Sequence, residues 1–230
     1  MHVEVAPSDT PLCVVYVDDS IVILDKPSGL LSVPGRGPDK QDCLSARVQR
    51  QYADALVVHR LDMATSGLII MARGARVQRK LSEAFANRLV AKRYEAVVRG
   101  ELAPMVDSWR VIDLPIGVDW PNRPRRVIDQ QNGKASVTRL QVSHFDAGRQ
   151  VSHVLLEPLT GRTHQLRVHL QAIGHPILGD SLYAPPDVIA MAPRLLLNAC
   201  ELAFTHPTGG HPMHFSRQRL KCSGEPYTER

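Results

Sequence analysis

Two stretches concentrate side chains able to do chemistry. The first, residues 57–73, reads VVHRLDMATSGLIIMAR. His59-Arg60-Leu61-Asp62 is followed by the small polar Thr65-Ser66-Gly67 and then by an apolar run. That order describes a tight corner leading into a buried strand and presenting one carboxylate, Asp62. Arg60 lies two residues earlier, so in extended backbone both side chains project to the same side. The commoner use of such a pair is a surface ion pair at a turn. The second stretch, residues 157–180, reads EPLTGRTHQLRVHLQAIGHPILGD. A strand ends near Glu157, Thr160-Gly161 makes a turn, and Arg162 stands just before a helix start. There it could pair with a carboxylate or hold a phosphate near the helix N-terminus. It could equally be a surface turn residue. Neither stretch alone names a reaction.

Other chemistries leave no trace. The sequence has no phosphate-cradling G-x-x-x-x-G-K-[ST], no G-x-G-x-x-G followed by an acid, no H-E-x-x-H and no G-x-S-x-G elbow. Cysteines at 13, 43, 200 and 222 form no C-x-x-C pair, so a zinc knuckle or thioredoxin motif is excluded. His164 and His169 are five apart, a poor helical pair for a metal, and the expectation is no metal. The first residues, MHVEVAPSDTPLC, lack the charged and apolar regions of a secretory signal. The longest apolar runs are far shorter than the ~20 residues that span a bilayer. Scattered thiols and no membrane segment predict a cytoplasmic protein.

Composition bounds the rest. The chain has 230 residues, 43% hydrophobic and 22% charged, which fits a folded domain and not a disordered chain. Its charge of +5 rests on 28 basic residues, of which 22 are Arg and 6 are Lys. Arginine grips phosphate with a planar fork and stacks on bases, so the bias leans toward a nucleic-acid partner. A GC-rich genome would produce the same bias.

The elements that must carry these residues follow from pattern. Cys13–Val17 and residues 21–24 are β-rich runs around the turn Asp18-Asp19-Ser20, a hairpin. Lys26-Pro27-Ser28-Gly29 breaks the second strand, and residues 32–42 are a Pro/Gly loop. Residues 44–52 read as a short helix and 67–73 as an apolar strand. Residues 75–89 carry Val77, Leu81, Phe85 and Leu89 at four-residue spacing, one stripe of a helix. Arg76, Arg79, Lys80 and Arg88 lie off that stripe as a solvated basic face. Residues 94–99 return to strand. Residues 101–133 read as loops or short edge strands with an arginine cluster at Arg123, Arg125 and Arg126; so long a basic segment is more often functional than idle. Residues 135–145 and 150–156 are strands joined at Asp146-Ala147-Gly148. Thr163 is placed to N-cap a helix to Ile173, with Leu166, Leu170 and Ile173 buried and Gly174 as its stop. Residues 195–202 make a late strand. The tally is α+β with a mostly antiparallel sheet.

Together these segments resemble the RluA-type family of RNA pseudouridine synthases. Asp25-Lys26-Pro27-Ser28-Gly29-Leu30 is similar to the family's K-P-x-G-L. His59-Arg60-Leu61-Asp62 with Thr65-Ser66-Gly67-Leu68 is similar to its catalytic H-R-L-D-x-x-T-S-G-L. Lys92-Arg93-Tyr94 resembles the element carrying its active-site tyrosine. Residues 161–167 and 174–180 resemble R-x-H-Q-[IL]-R and G-x-P-[IL]-x-G-D, and residues 204–215 the F-x-H-P block. All stand in family order over residues 14–215. The layout is most similar to the dual-specificity branch without an N-terminal S4 module.

The resemblance implies a pseudouridine synthase fold, a mixed sheet flanked by a few helices around a central cleft. The implied organisation is an arm at 1–12, a catalytic domain at 13–215 and a tail at 216–230. The implied reaction breaks the C1′–N1 bond of uridine, turns the base and rejoins it at C5. It is redox-neutral and needs no cofactor. Asp62 is the implied catalytic carboxylate, either attacking C1′ or abstracting a sugar proton, and a cation such as Arg162 would favour its ionised form. Arg60 would help extrude the nucleotide from its stack. Tyr94 would stack on the base or aid proton removal from C5, and Leu197 would pack against the flipped uracil. Where many members have Leu-His-Ala, this chain has Leu197-Asn198-Ala199, so Asn198 is not carried over. Arg123, Arg125 and Arg126 are expected to contact RNA. The implied partners are a tRNA anticodon stem-loop and a 23S rRNA stem-loop, without a membrane and with the protein as a monomer. A non-catalytic RNA-binding protein on this fold should have lost Asp62, the arginine or the tyrosine; all three are present.

Overall fold

The computed structural model describes residues 11–103, 108–217 and 220. Residues 1–10 of the expected arm and most of the expected tail lie outside the described residues. In chain order the elements are β1 (Cys13–Val17), β2 (Ile21–Lys26), α1 (Leu44–Gln51), β3 (Ala55–Val57), β4 (Ser66–Arg73), α2 (Ala75–Ala86), β5 (Ala91–Arg99), β6 (Arg110–Asp113), β7 (Ile116–Val118), β8 (Arg126–Ile128), β9 (Val137–Asp146), β10 (Val151–Pro158), α3 (Gln165–Ala172), α4 (Pro186–Ile189), β11 (Leu197–Thr205) and β12 (Pro212–Ser216). The fold is α+β and dominated by sheet, as the sequence predicts. The chain divides into two compact units, Met1–Lys92 with Ala199–Arg217, and Arg93–Asn198 with Gln218–Arg230.

In the first unit the sheet runs β1-β2-β4-β11, with β12 paired to β11 and β3 to β4. The β1–β2 hairpin forms because Asp18 closes its turn: Oδ1 accepts from the backbone N–H of Ser20 at 2.7 Å and of Ile21 at 2.8 Å. Alternate residues Ile21, Ile23, Leu68 and Ile70 bury one face against Val77 and Leu81 of α2 and against Val90, Leu202 and Phe204. Phe85 continues the helical stripe, but Leu89 does not and is 69% exposed. The helix stops at Ala86, and Arg88 takes a left-handed φ of 59° that turns the chain away before Leu89. Gly67, second in β4, has φ +112°, and a Cβ there would overlap the Ala199 backbone. That close approach explains the glycine.

In the second unit the strands stand in the order β5-β10-β9-β6, every pair antiparallel, with a bulge in β9 where Ser143 is left unpaired between Val142 and His144. Residues 101–133, read as loops or short edge strands, contain the edge strand β6 and a separate two-stranded ribbon, β7–β8. Helix α3 departs from the sequence reading in two ways. Thr163 is not its cap: His164 holds that position with φ 56°, and no side-chain cap bond forms. Instead the Gln165 Oε1 accepts from the Arg162 N–H at 3.0 Å. Nor is one stripe buried. Residues 165–170 are buried all round, while Ile173 is exposed. Gly174, with φ +84°, ends the helix as expected. The helix is locked by Arg167, whose Nε and Nη2 donate to Asp180 at 2.8 and 2.6 Å in a fully buried fork.

Candidate active site

Asp62 sits on the loop between β3 and β4, and the segment after β2 grips that loop on both sides. Lys26 is wholly buried, and its Nζ donates to the carbonyls of Pro27 (2.8 Å), Leu30 (2.8 Å) and Met63 (3.0 Å). The Gly29 N–H also reaches the Met63 carbonyl, at 2.9 Å. Ser28 Oγ donates to the Ala64 carbonyl and Ser32 Oγ to the Leu61 carbonyl, at 2.8 and 2.7 Å. Ser32 Oγ also accepts from the Leu61 N–H. Leu61, Met63 and Ala64 are therefore fixed through their backbones, which presents the half-buried Asp62 between them. Arg60, on the same loop, is exposed. Burial lowers the Lys26 ammonium from its ordinary 10.5 to about 7, and the Asp62 charge opposes that shift.

The histidine of the same motif faces inward. His59 Nε2 accepts from the Ile70 N–H at 3.1 Å, and the ring stacks on Phe85 with centroids 4.5 Å apart. Desolvation, helped by the Lys92 charge, pushes it down to about 3. His59 is therefore a neutral acceptor that pins the loop to β4. It is not a proton carrier at neutral pH.

The second unit carries Tyr94, Leu197 and Arg162. Tyr94 is half-buried on β5, opposite Leu156 of β10. Leu197 is buried at the start of β11. Arg162 is exposed on the turn before α3, and its Nε donates to the Ala135 carbonyl at 3.3 Å. Gln165 sets the path of that turn. Its Oε1 accepts from Thr160 Oγ1 and the Arg162 N–H, and its Nε2 donates to the Val137 carbonyl and Thr138 Oγ1. Thr138 Oγ1 in turn bonds His169 Nδ1 at 2.9 Å, and His169 Nε2 bonds the Leu114 carbonyl. Asn198 Nδ2 donates to the buried Glu95 carboxylate at 2.7 Å.

The three clustered arginines lie in and before β8. The Arg123 guanidinium is 4.8 Å from the Trp120 ring centroid, and Arg125 is 5.7 Å from that of Tyr183. The Arg126 N–H donates to Tyr183 Oη at 2.9 Å, and the same hydroxyl bonds His164 Nδ1 at 2.7 Å. Tyr183 thus brings the arginine ribbon and the Arg162 turn together. Sequence reasoning missed Tyr183, whose position carries no local motif. It also missed Lys26 as a site residue, although the K-P-x-G-L match pointed at it.

Residues 20–172 match the family model described as RNA pseudouridylate synthase. The chain belongs to this RNA pseudouridylate synthase family. It is 47% identical to the dual-specificity RNA pseudouridine synthase RluA of Escherichia coli strain K12, over 91% of this chain and 94% of that protein. To the protein of the same name from Yersinia pestis it is 48% identical, over 93% of this chain and all of that protein. Among solved structures it is similar to human RNA pseudouridylate synthase domain containing 1, with a TM-score of 0.74 and 30% identity over 94% of this chain and 86% of that one. As an RNA pseudouridylate synthase the chain is an isomerase, and RNA is its substrate. Among the described residues no helix is long and apolar enough to cross a membrane.

Proposed function

We propose that this chain isomerises uridines in two RNA settings, a tRNA anticodon stem-loop and a 23S rRNA stem-loop. The observation that carries this reading is the 47–48% identity, over more than nine-tenths of the chain, to proteins named as dual-specificity synthases. The protein acts as a monomer in the cytoplasm, with residues 13–215 as its catalytic domain.

Asp62 is the catalytic carboxylate. It either attacks C1′ as the C1′–N1 bond breaks, or removes a sugar proton to open the same bond. The detached uracil turns and C5 bonds to C1′, which breaks the Asp62–C1′ bond on the first route and returns the proton held by Asp62 to the sugar on the second. C5 then loses its proton and N1 gains one, so atoms balance with no oxidant or energy source. The backbone grip on Leu61, Met63 and Ala64 supports this role, because a held loop keeps the carboxylate in a reactive geometry. Arg60, exposed beside it, helps take the nucleotide out of its stack. Tyr94 stacks on the base or assists proton removal at C5, Leu197 packs on the flipped uracil, and Arg162 is a further catalytic residue. Arg123, Arg125 and Arg126 contact the phosphate backbone, so affinity falls steeply with salt.

Pseudouridine mapping of tRNA and 23S rRNA from cells with and without the gene tests the dual specificity. Loss of a site in both RNAs supports it. Loss in one alone assigns the enzyme to that RNA, and loss in neither overturns the reading.

A further inference from the structure

Trp120 stands in the connection between β7 and β8, outside every motif that matches the family. It is 66% exposed, an uncommon position for so large an apolar ring. The turn that presents it is well tied. The Asp119 N–H donates to the Arg125 carbonyl and the Arg125 N–H to the Asn122 carbonyl, at 3.3 and 3.0 Å. The Asn122 side chain donates to both Asp119 carboxylate oxygens, at 3.0 and 3.1 Å. The base of the ribbon is anchored in a cluster of Ile116, Val168 and Tyr183, against which Ile128 packs. An ordered turn on an anchored ribbon therefore holds out an aromatic ring, with the Arg123 guanidinium 4.8 Å from its centroid.

The surroundings define what the ring can take. Residues 119–126 carry Arg123, Arg125 and Arg126 against Asp119, whose carboxylate already serves Asn122. In the chain the ring is flanked by Asp119, Pro121 and Asn122, a polar and basic turn that suits a nucleic acid better than an apolar protein surface. An aromatic face beside guanidinium groups suits a nucleobase with its phosphates, because every base has a π-face and stacking needs no particular sequence. We propose that Trp120 is a stacking platform for one unpaired base of the RNA substrate, with Arg123 bridging to the adjoining phosphate. This rests on the reading of stem-loop RNA as substrate and adds a second contact, made by a base other than the one that is isomerised.

The chain has two tryptophans, Trp109 and Trp120, so Trp109→Phe leaves Trp120 as the sole indole reporter. In that background, titration with a synthetic tRNA anticodon stem-loop should quench the fluorescence. Separately, Trp120→Ala should raise KM roughly ten-fold while kcat stays within about two-fold, and Trp120→Tyr should restore most of the loss. RNA binding without quenching, or an unchanged KM in Trp120→Ala, overturns the platform and leaves the ring for a protein contact. Quenching without turnover by the wild type would instead overturn the substrate reading and leave the platform standing.

Discussion

The buried ammonium of Lys26 donates to the carbonyl of Met63, the residue after Asp62, at 3.0 Å. It thereby ties the end of β2 to the loop that presents the carboxylate, with its other two bonds closing its own turn. Lys26→Met keeps the apolar stem and strips three carbonyls of their donor, so it should cost at least about 1–3 kcal/mol of stability. It should also lower kcat by loosening the loop. The pH dependence has a definite sign. Between the folded value of about 7 and the ordinary 10.5, the unfolded chain keeps a proton that the folded protein has released. Wild-type stability therefore gains from Lys26 as pH rises through that window. Urea denaturation across the window should show a shallower rise for Lys26→Met; equal slopes would contradict the burial argument.

His59 acts at the acid end. Its folded value of about 3 lies below the ordinary 6.5, so on acidification the unfolded chain takes up a proton before the folded one does. The stability this supplies is complete above 6.5 and is lost as pH falls toward 3. His59→Gln, which keeps an acceptor near the Ile70 N–H, should flatten the acid limb of the stability profile. An acid limb as steep as the wild type's would assign the loss to other groups.

Gln165 should matter to turnover without touching substrate. It holds the Arg162 N–H and Thr160 hydroxyl on one side and Val137 and Thr138 on the other. Gln165→Leu should lower kcat by about ten- to a hundred-fold through a displaced Arg162, with a smaller change in KM. Gln165→Glu keeps the acceptor that serves Arg162 and should retain more activity. If both variants lose only stability, Gln165 has no positioning role.

The sequence was most legible where one local rule sufficed. The β1–β2 hairpin follows from Asp18 at a turn between apolar runs, and the site loop from its small residues before β4. It was least legible where distant segments decide. Leu89 fits the α2 stripe by spacing, but the chain leaves the helix before reaching it. Thr163 looks like a cap, yet the tie to Gln165 displaces that role. Tyr183 is joined to Arg126 and His164 only by the fold. Lys26 reads only as part of a strand break, and its grip on three carbonyls comes from the fold.

The central claim is that Asp62 performs the isomerisation, and RNA tritiated at uracil C5 tests it most directly. Wild type should release tritium from a tRNA anticodon stem-loop in single-turnover conditions. Asp62→Asn, a near-isosteric change, should bind the same RNA and release tritium more than roughly a thousand-fold more slowly. Release by Asp62→Asn at the wild-type rate would contradict the account.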